Sequence, residues 1–339
     1  MPVTLAQAAL NTQDDLDRMV IDEFRKSSVI LDTMIFHDAV NPMGGGSTLT
    51  YGYHRVLAQR GAAFRAINAE YVPTEATKQR FDTDLKPLGG SFEIDRVLGQ
   101  LARGSEVTFQ MEQLIKATNT KFADELINGD TAVDANGFDG LDKALTGSTT
   151  ELIPDSAGTG YTDWTDLDAA GVGSKALDLF DEFLGLLDGA PTLVLGNAKA
   201  LAKLRAIGRR ANMYVTAPVE GLRDAFGNPI ERQRFGNVTI TDPGDKAGST
   251  DPIIPIETRD PDGAGAGGNI TGLTDIYAVR IGMDGFHGIS VAGQPLVQTW
   301  LPDFARAGAV KTGEVEMGPV GVALKATRSA AVLRNVKVQ

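Results

Sequence analysis

The sequence predicts an α+β protein in which an α/β unit is inserted into a mixed unit built on one long helix. Three observations carry this reading. Ser105 to Asn128 holds the longest uninterrupted helical pattern in the chain, alternating strand patterns flank it on both sides, and the region beyond the Thr146 to Gly160 boundary interleaves helices with strands. With 339 residues, 42% of them apolar, the chain is long enough for two units around a substantial core.

Residues 1 to about 36 read as a helical arm. Leu16, Met19, Val20, Phe24 and Ile30 form a partial apolar stripe among Asp14, Asp15, Asp17, Asp22 and Glu23, and the pattern stops before Pro42 and Gly44, Gly45 and Gly46. So thin a stripe has to lie on another surface, either the chain's own body or a neighbouring subunit. From Ser47 the period changes to two, with Leu49, Tyr51 and Tyr53 on one side. Arg55 to Lys86 is then polar on both faces and broken by Gly61 and Pro73, before Ser91 to Leu98 alternates again. This long polar excursion between two strand patterns therefore reads as an extended hairpin with little core of its own, which needs a partner surface.

The long helix is the centre of the next region. Val107, Met111, Leu114, Ile115, Thr118, Phe122 and Leu126 recur at three- and four-residue steps and share one face. Ser105 caps its start, Glu106 and Glu112 lie near the positive end of the dipole, and Gly129 stops it. At 1.5 Å per residue this is a spine roughly 35 Å long. Asn136 to Leu141 is a turn, and the Gly-, Ser- and Thr-rich stretch from Thr146 to Gly160 marks a boundary.

Beyond it, Leu177 to Leu187 is helical, Pro191 to Leu195 is a short buried strand, and Asn197 caps a helix running to about Ile207. Strands recur at Asn237 to Thr241 and Asp275 to Ile281, separated by the low-complexity loop from Asp260 to Asn269. At the C-terminus, Val320, Val322 and Leu324 precede a turn at Thr327 to Ser329, and Ala330 to Val338 alternates. This reads as a hairpin covered by the spine.

Composition excludes several chemistries. There is no cysteine, so neither disulfides nor thiolate metal sites are available, and only His37, His54 and His287 offer imidazoles. No apolar run of membrane-spanning length and no secretion signal is present, which predicts a cytosolic, membrane-free protein. The net charge of −12 argues against a surface devoted to nucleic acid, although local basic faces are allowed.

Gly171 to Ala176 (GVGSKA) lacks the phosphate-loop spacing and places Ala176 where a hydroxyl is needed, so it reads as a turn before the next helix. Gly263 to Gly268 follows Asp-Pro-Asp in place of a strand. His287, with Asp284 nearby, is the one candidate acid–base pair, set against a structural histidine in a glycine turn. Asp181 with Glu182, and Glu314 with Glu316, read as solvated charges. Lys199, Lys203, Arg205, Arg209 and Arg210 form a basic run that suits either an acidic partner or a solvated helix face. No residue is assigned a catalytic, cofactor-binding or metal-binding role.

The order of these parts resembles the major capsid proteins of tailed bacteriophages, whose fold encapsulin shells share. The likeness rests on Tyr51 to Tyr71, Leu88 to Asp130, Gly137 to Leu145, Leu193 to Arg205 and Asp275 to Ile289, and it spans essentially the whole chain. It implies an N-terminal arm (1–42), an extended loop lying over a neighbour (43–88), a peripheral domain (89–155 with 290–339) and an inserted axial domain (156–289). It further implies a homo-oligomer of pentamers and hexamers in an icosahedral shell, assembled in the host bacterial cytoplasm and ending in the virion. The remaining partners it implies are packaged double-stranded DNA held by weak electrostatic contacts, a portal and, because the arm starts near Met1, a separate scaffolding protein. Some members weld subunits by a lysine-to-asparagine bond. Lys78, Lys86 and Asn335 are the residues to weigh here, and with no glutamate after Asn335 no cross-link is expected. An encapsulin shell around an enzyme cargo, and an α/β enzyme with its site near His287, stand as alternatives.

Overall fold

The computed structural model describes residues 29–40, 49–101, 105–154, 159–169, 171–212, 214–223, 229–235, 238–261 and 268–339. Its elements begin with α1 (Val29–Thr33), β1 (Phe36–Val40), β2 (Thr50–Ala58), β3 (Thr77–Asp84) and β4 (Lys86–Asp95). Next come α2 (Arg96–Leu101), the spine helix α3 (Ser105–Asn128), α4 (Leu141–Leu145), β5 (Glu151–Leu152) and β6 (Thr162–Asp163). The middle region supplies α5 (Val172–Gly185), β7 (Leu193–Gly196), α6 (Ala198–Arg210), β8 (Tyr214–Arg223), β9 (Pro229–Phe235) and β10 (Val238–Thr241). The last strands are β11 (Glu257–Arg259), β12 (Ile270–Val279), β13 (Phe286–Val291), β14 (Val297–Trp300), β15 (Val310–Leu324) and β16 (Ala330–Lys337).

The arm's stripe from Leu16 to Phe24 and its Gly44 to Gly46 breaker lie outside the described residues. Its described end is not purely helical. After α1, β1 joins a sheet by parallel pairing with β13, His37 opposite Ile289. The hairpin is real, but its return strand differs from the expected one. β3, inside the polar excursion, pairs with β2 so that Tyr53 stands opposite Phe81. Ser91 to Asp95 instead belongs to β4, which pairs with β15, and Arg96 to Leu98 is helical. Phe81 is the one large apolar side chain in TKQRFDTD, so pairing with β2 supplies the order that its own pattern lacks.

β1, β13, β15 and β14 form one sheet, with β4 also paired to β15. The spine packs on it through Phe122, Leu126 and Ile127, which share a core with Met317, Val320 and Val322. Gly90 makes the spine's close approach possible, and Gly89 lets β4 lie against β15. A Cβ on Gly90 would meet Leu114 Cδ1 at 2.8 Å, and one on Gly89 would meet the Val315 carbonyl oxygen at 2.4 Å. The spine's ends coincide with the expected Ser105 and Asn128.

The second sheet runs β5-β16-β12-β7-β10-β9-β8, with β11 on β12 and β6 on β16. Helix α5 starts earlier than expected, at Val172, while Asn197 caps α6 by accepting from the Lys199 N–H at 3.0 Å. The expected closing hairpin does not form. The chain crosses at Thr327–Ser329 from β15 in the first sheet to β16 in the second. The reason lies in β16, which is apolar on both faces. Ala330 and Val332 face the spine's core, while Ala331 and Leu333 face the core of Phe180, Phe183, Leu201 and Leu204. A strand buried on both sides belongs inside a sheet covered by helices. Residues 290 to 339 thereby contribute to both sheets.

Candidate functional site: the hairpin and its root

Beyond β2 and β3 the hairpin has no core. Phe64 is 108% exposed, Ile67 91% and Val72 85%, and Val56, Leu57 and Tyr71 are also exposed. The tip is organised by a few local contacts. Thr74 Oγ1 donates to the Gly61 carbonyl at 3.1 Å, and Arg65 donates to the Ala66 and Ala69 carbonyls while lying over the Tyr71 ring. Large apolar side chains exposed in this way form a surface of the kind found at interaction sites.

The root is fastened to the body by polar and ring contacts. Tyr53 Oη donates to the Leu324 carbonyl at 3.1 Å. Arg55 Nε donates to the Lys325 carbonyl at 3.1 Å, and its other nitrogen reaches the Leu324 carbonyl. The guanidinium also lies 4.3 Å above the centre of Phe81, which stacks on Tyr53. Burial pushes the Tyr53 phenol up, opposed by Arg55. Beneath the root, Tyr51 and Tyr53 cover a small core of Val40, Leu85, Ile289, Val291 and Ala323. A cleft of about 670 Å³ opens beside it, between Arg55 and Phe81 on one side and Leu141 and Lys143 on the other.

His287 lies in this root and is fully buried. Neither ring nitrogen makes a hydrogen bond, and Asp284, at the surface, pairs with Arg280 at 3.0 Å. Burial, then the nearby Lys325 charge, hold the imidazole down to about 4. A base needs a path to substrate and an orienting partner, so His287 and Asp284 do not form an acid–base pair here. Among the described residues no group of three or more His, Asp or Glu is placed to hold a metal ion.

The other candidates resolve into structure. Gly173 to Ala176 lies within α5, with Ala176 buried in the core. Most of Gly263 to Gly268 lies outside the described residues. Asp181 and Glu182 are exposed, and Glu314 and Glu316 sit at alternate positions on β15. The basic run is partly tied down within the chain, with one ion pair and two hydrogen bonds. Lys203 Nζ donates to the Thr165 carbonyl at 2.6 Å, Arg210 pairs with Asp168 at 2.5 Å and Lys199 bonds to Gln339. Asn335 is buried with φ at 57°, its amide donating to the Gly160 and Pro261 carbonyls at 2.9 and 3.1 Å. That burial removes it as an acceptor for a surface lysine. Lys86 bonds to the Ala135 carbonyl, while Lys78 stays on the hairpin.

Sequence reasoning missed the Arg55 contacts and a buried ion network at Arg334. Arg334 meets Glu151 at 2.8 Å, Asp275 at 3.1 Å and Asp142, while Tyr277 Oη donates to Asp142 at 2.8 Å. Burial opposes its charge, but Asp275, Tyr277 and Asp142 together hold its guanidinium above the usual arginine range. A lone arginine inside AAVLRNVK was the available signal, since a charge in a buried strand requires partners.

No family model and no curated protein matches the sequence. Solved structures match it along nearly its full length. The holo-SrpI encapsulin complex from Synechococcus elongatus PCC 7942 superposes with a TM-score of 0.62 at 15% identity, covering 99% of this chain and 98% of that one. The capsid of a native GTA particle gives 0.59 at 12% identity, covering 95% and 94%. Mycobacterium phage Ogopogo gives 0.55 at 14% identity, covering 98% and 99%. At these identities the likeness is one of fold, and over its whole length this chain has the fold of phage capsid proteins and of an encapsulin shell protein.

Proposed function

We propose that the protein is a major capsid protein, a structural subunit whose copies close into an icosahedral shell around the double-stranded DNA of a tailed phage. The observation that carries this reading is the hairpin, which holds Phe64, Ile67 and Val72 exposed with nothing among the described residues to cover them. Copies of the chain supply the missing surface, as oligomers with matched patches do. Its domains are then the arm (1–42), the extended loop (43–88), the peripheral domain (89–155 with 290–339) and the axial domain (156–289), although β16 pairs into the axial sheet. Its partners are further copies in pentamers and hexamers, a scaffolding protein, a portal and packaged DNA, with assembly in the host cytoplasm. Among the described residues no helix is long and apolar enough to cross a membrane. The acidic net charge of −12 suits a container whose wall does not bind its phosphate cargo tightly.

A second reading is an encapsulin-type shell around a protein cargo, supported by the TM-score of 0.62 to the encapsulin. The contents separate the two. Particles purified from their natural source and treated with nuclease are expected to retain protected double-stranded DNA. Particles holding a protein cargo and no nucleic acid contradict the phage reading and select the encapsulin one. An enzyme site at His287 has no support in a ring that is closed to solvent.

A further inference from the structure

The root of the hairpin holds a titratable group that the shell reading does not use. His287 is on β13, whose side chains alternate between two environments. Phe286 points into the large core shared with the spine, whereas Ile289 and Val291, on the same side as His287, face the small core under the hairpin root. On that side the covering comes from β1 and β2. The His37 ring lies 5.9 Å from His287 and the Tyr51 ring 6.2 Å, both edge-on, and Tyr51 Oη is 3.4 Å from His37 Nδ1. His287 is fully buried there, and neither of its nitrogens has a hydrogen-bond partner.

We propose that His287 is an acid-sensitive latch: when its imidazole takes a proton, the ring contacts with Tyr51 and His37 open and the hairpin root lifts from the body. The charges around it favour that outcome. From the end of β15, Lys325 opposes a second cation, and from β1 His37 does the same. Tyr51 on β2 offers a neutral ring that already carries Lys325 Nζ 5.5 Å from its centre. Asp284 and the Gly285 carbonyl, from the turn before β13, favour the cation, but Asp284 is at the surface and paired to Arg280. Asp38, the other charge on β1, is turned to Ser290 and the Gly293 N–H. A buried imidazolium there has only the Gly285 carbonyl to turn to, against Lys325 and His37, and water solvates it better. The opposite face of β13 is closed by the main core, so the easiest route to water is to lift the hairpin.

The direction with pH comes from linkage. The closed form binds the proton only near pH 4, whereas an opened, solvated histidine binds it near 6.5, so acid favours the open form. The ratio of open to closed rises roughly a hundredfold between pH 7.5 and pH 4.

The test is hydrogen exchange of the full-length protein, corrected for the intrinsic rate, across pH 4 to 7.5. Residues 50 to 56 and 320 to 326 are expected to lose about a hundredfold in protection while β16 keeps its own. His287→Phe, which keeps a ring and removes the proton, is expected to abolish that response, and His37→Phe to retain it. Equal acid responses in wild type and His287→Phe, or simultaneous loss of protection in β16, overturn the latch. Should His287→Phe not fold, exchange of the histidine C2–H in wild type reads the same claim. A His287 midpoint well below 6.5 that coincides with the opening supports it, and a midpoint near 6.5 with no change in protection overturns it. The outcome is independent of whether the protein forms shells.

Discussion

Arg55 on the hairpin donates from Nε to the carbonyl of Lys325 at 3.1 Å, across 270 residues of chain. This contact, with the neighbouring one to Leu324, ties a strand that has no core of its own to the end of the longest strand in the body. A hydrogen bond from a charged donor is worth about 1.5 to 3 kcal/mol when buried and less in this half-exposed setting. Arg55→Ala is therefore expected to leave the body's thermal midpoint within a few degrees while making the hairpin an early site of proteolysis. Limited proteolysis with mass mapping reads this, and unchanged protection of residues 55 to 80 speaks against the assigned root.

At the tip, Phe64 is fully exposed among the described residues, so its removal unbalances no packing there. Phe64→Asp is expected to change subunit stability by no more than about 0.5 kcal/mol, as exposed substitutions do, and to block assembly by placing a charge where a neighbour's apolar surface should close. Size-exclusion chromatography together with a thermal melt distinguishes the two effects. Normal shells from this variant would contradict the role given to the tip.

The Arg334 network is expected to be the most sensitive polar site in the fold. Arg334→Ala leaves Asp142 and Glu151 without their cation while Asp275 keeps Arg259, and with Asp142 half exposed the loss is expected at or below the low end of the about 3 to 5 kcal/mol that breaking a buried pair from one side costs. Arg334→Lys is expected to recover only part of the loss, because one ammonium cannot reach three carboxylates as a guanidinium does. Denaturant unfolding measures both, and a loss below about 1 kcal/mol for the alanine variant shows that the network is energetically idle.

The adjacent glycines under the spine separate two kinds of crowding. A Cβ at Gly89 meets the Val315 carbonyl, which is fixed by the strand, whereas one at Gly90 meets a terminal carbon of Leu114, which can turn away. Gly89→Ala is expected to destabilise by about 1 kcal/mol or more beyond Gly90→Ala. Equal losses in thermal unfolding would mean that β4 and β15 shift apart freely.

The local parts of this fold were legible in the sequence and the long-range pairings were not. The ends of the spine at Ser105 and Asn128 follow from the local pattern and its flanking glycines, and Asn197 caps its helix with its own side chain, so the pattern alone places them. β1 is five residues, FHDAV, whose order comes from β13, some 250 residues later, and the period of so short a piece carries no signal. Alternation in Ala330 to Val338 announced a strand but not its partner. Only its apolar residues on both faces, with Arg334 between them, hinted that it lies inside a sheet. His287 stood out by residue type, yet its meaning depends on Tyr51 and His37, which the chain brings together only when folded.

The most direct measurement of the central claim is negative-stain microscopy of the purified full-length protein at assembly concentrations, alongside size-exclusion chromatography. Closed shells, or rings of five and six subunits, are the expected result. A uniform monomer or dimer at high concentration, with the hairpin tip still exposed, would contradict the account.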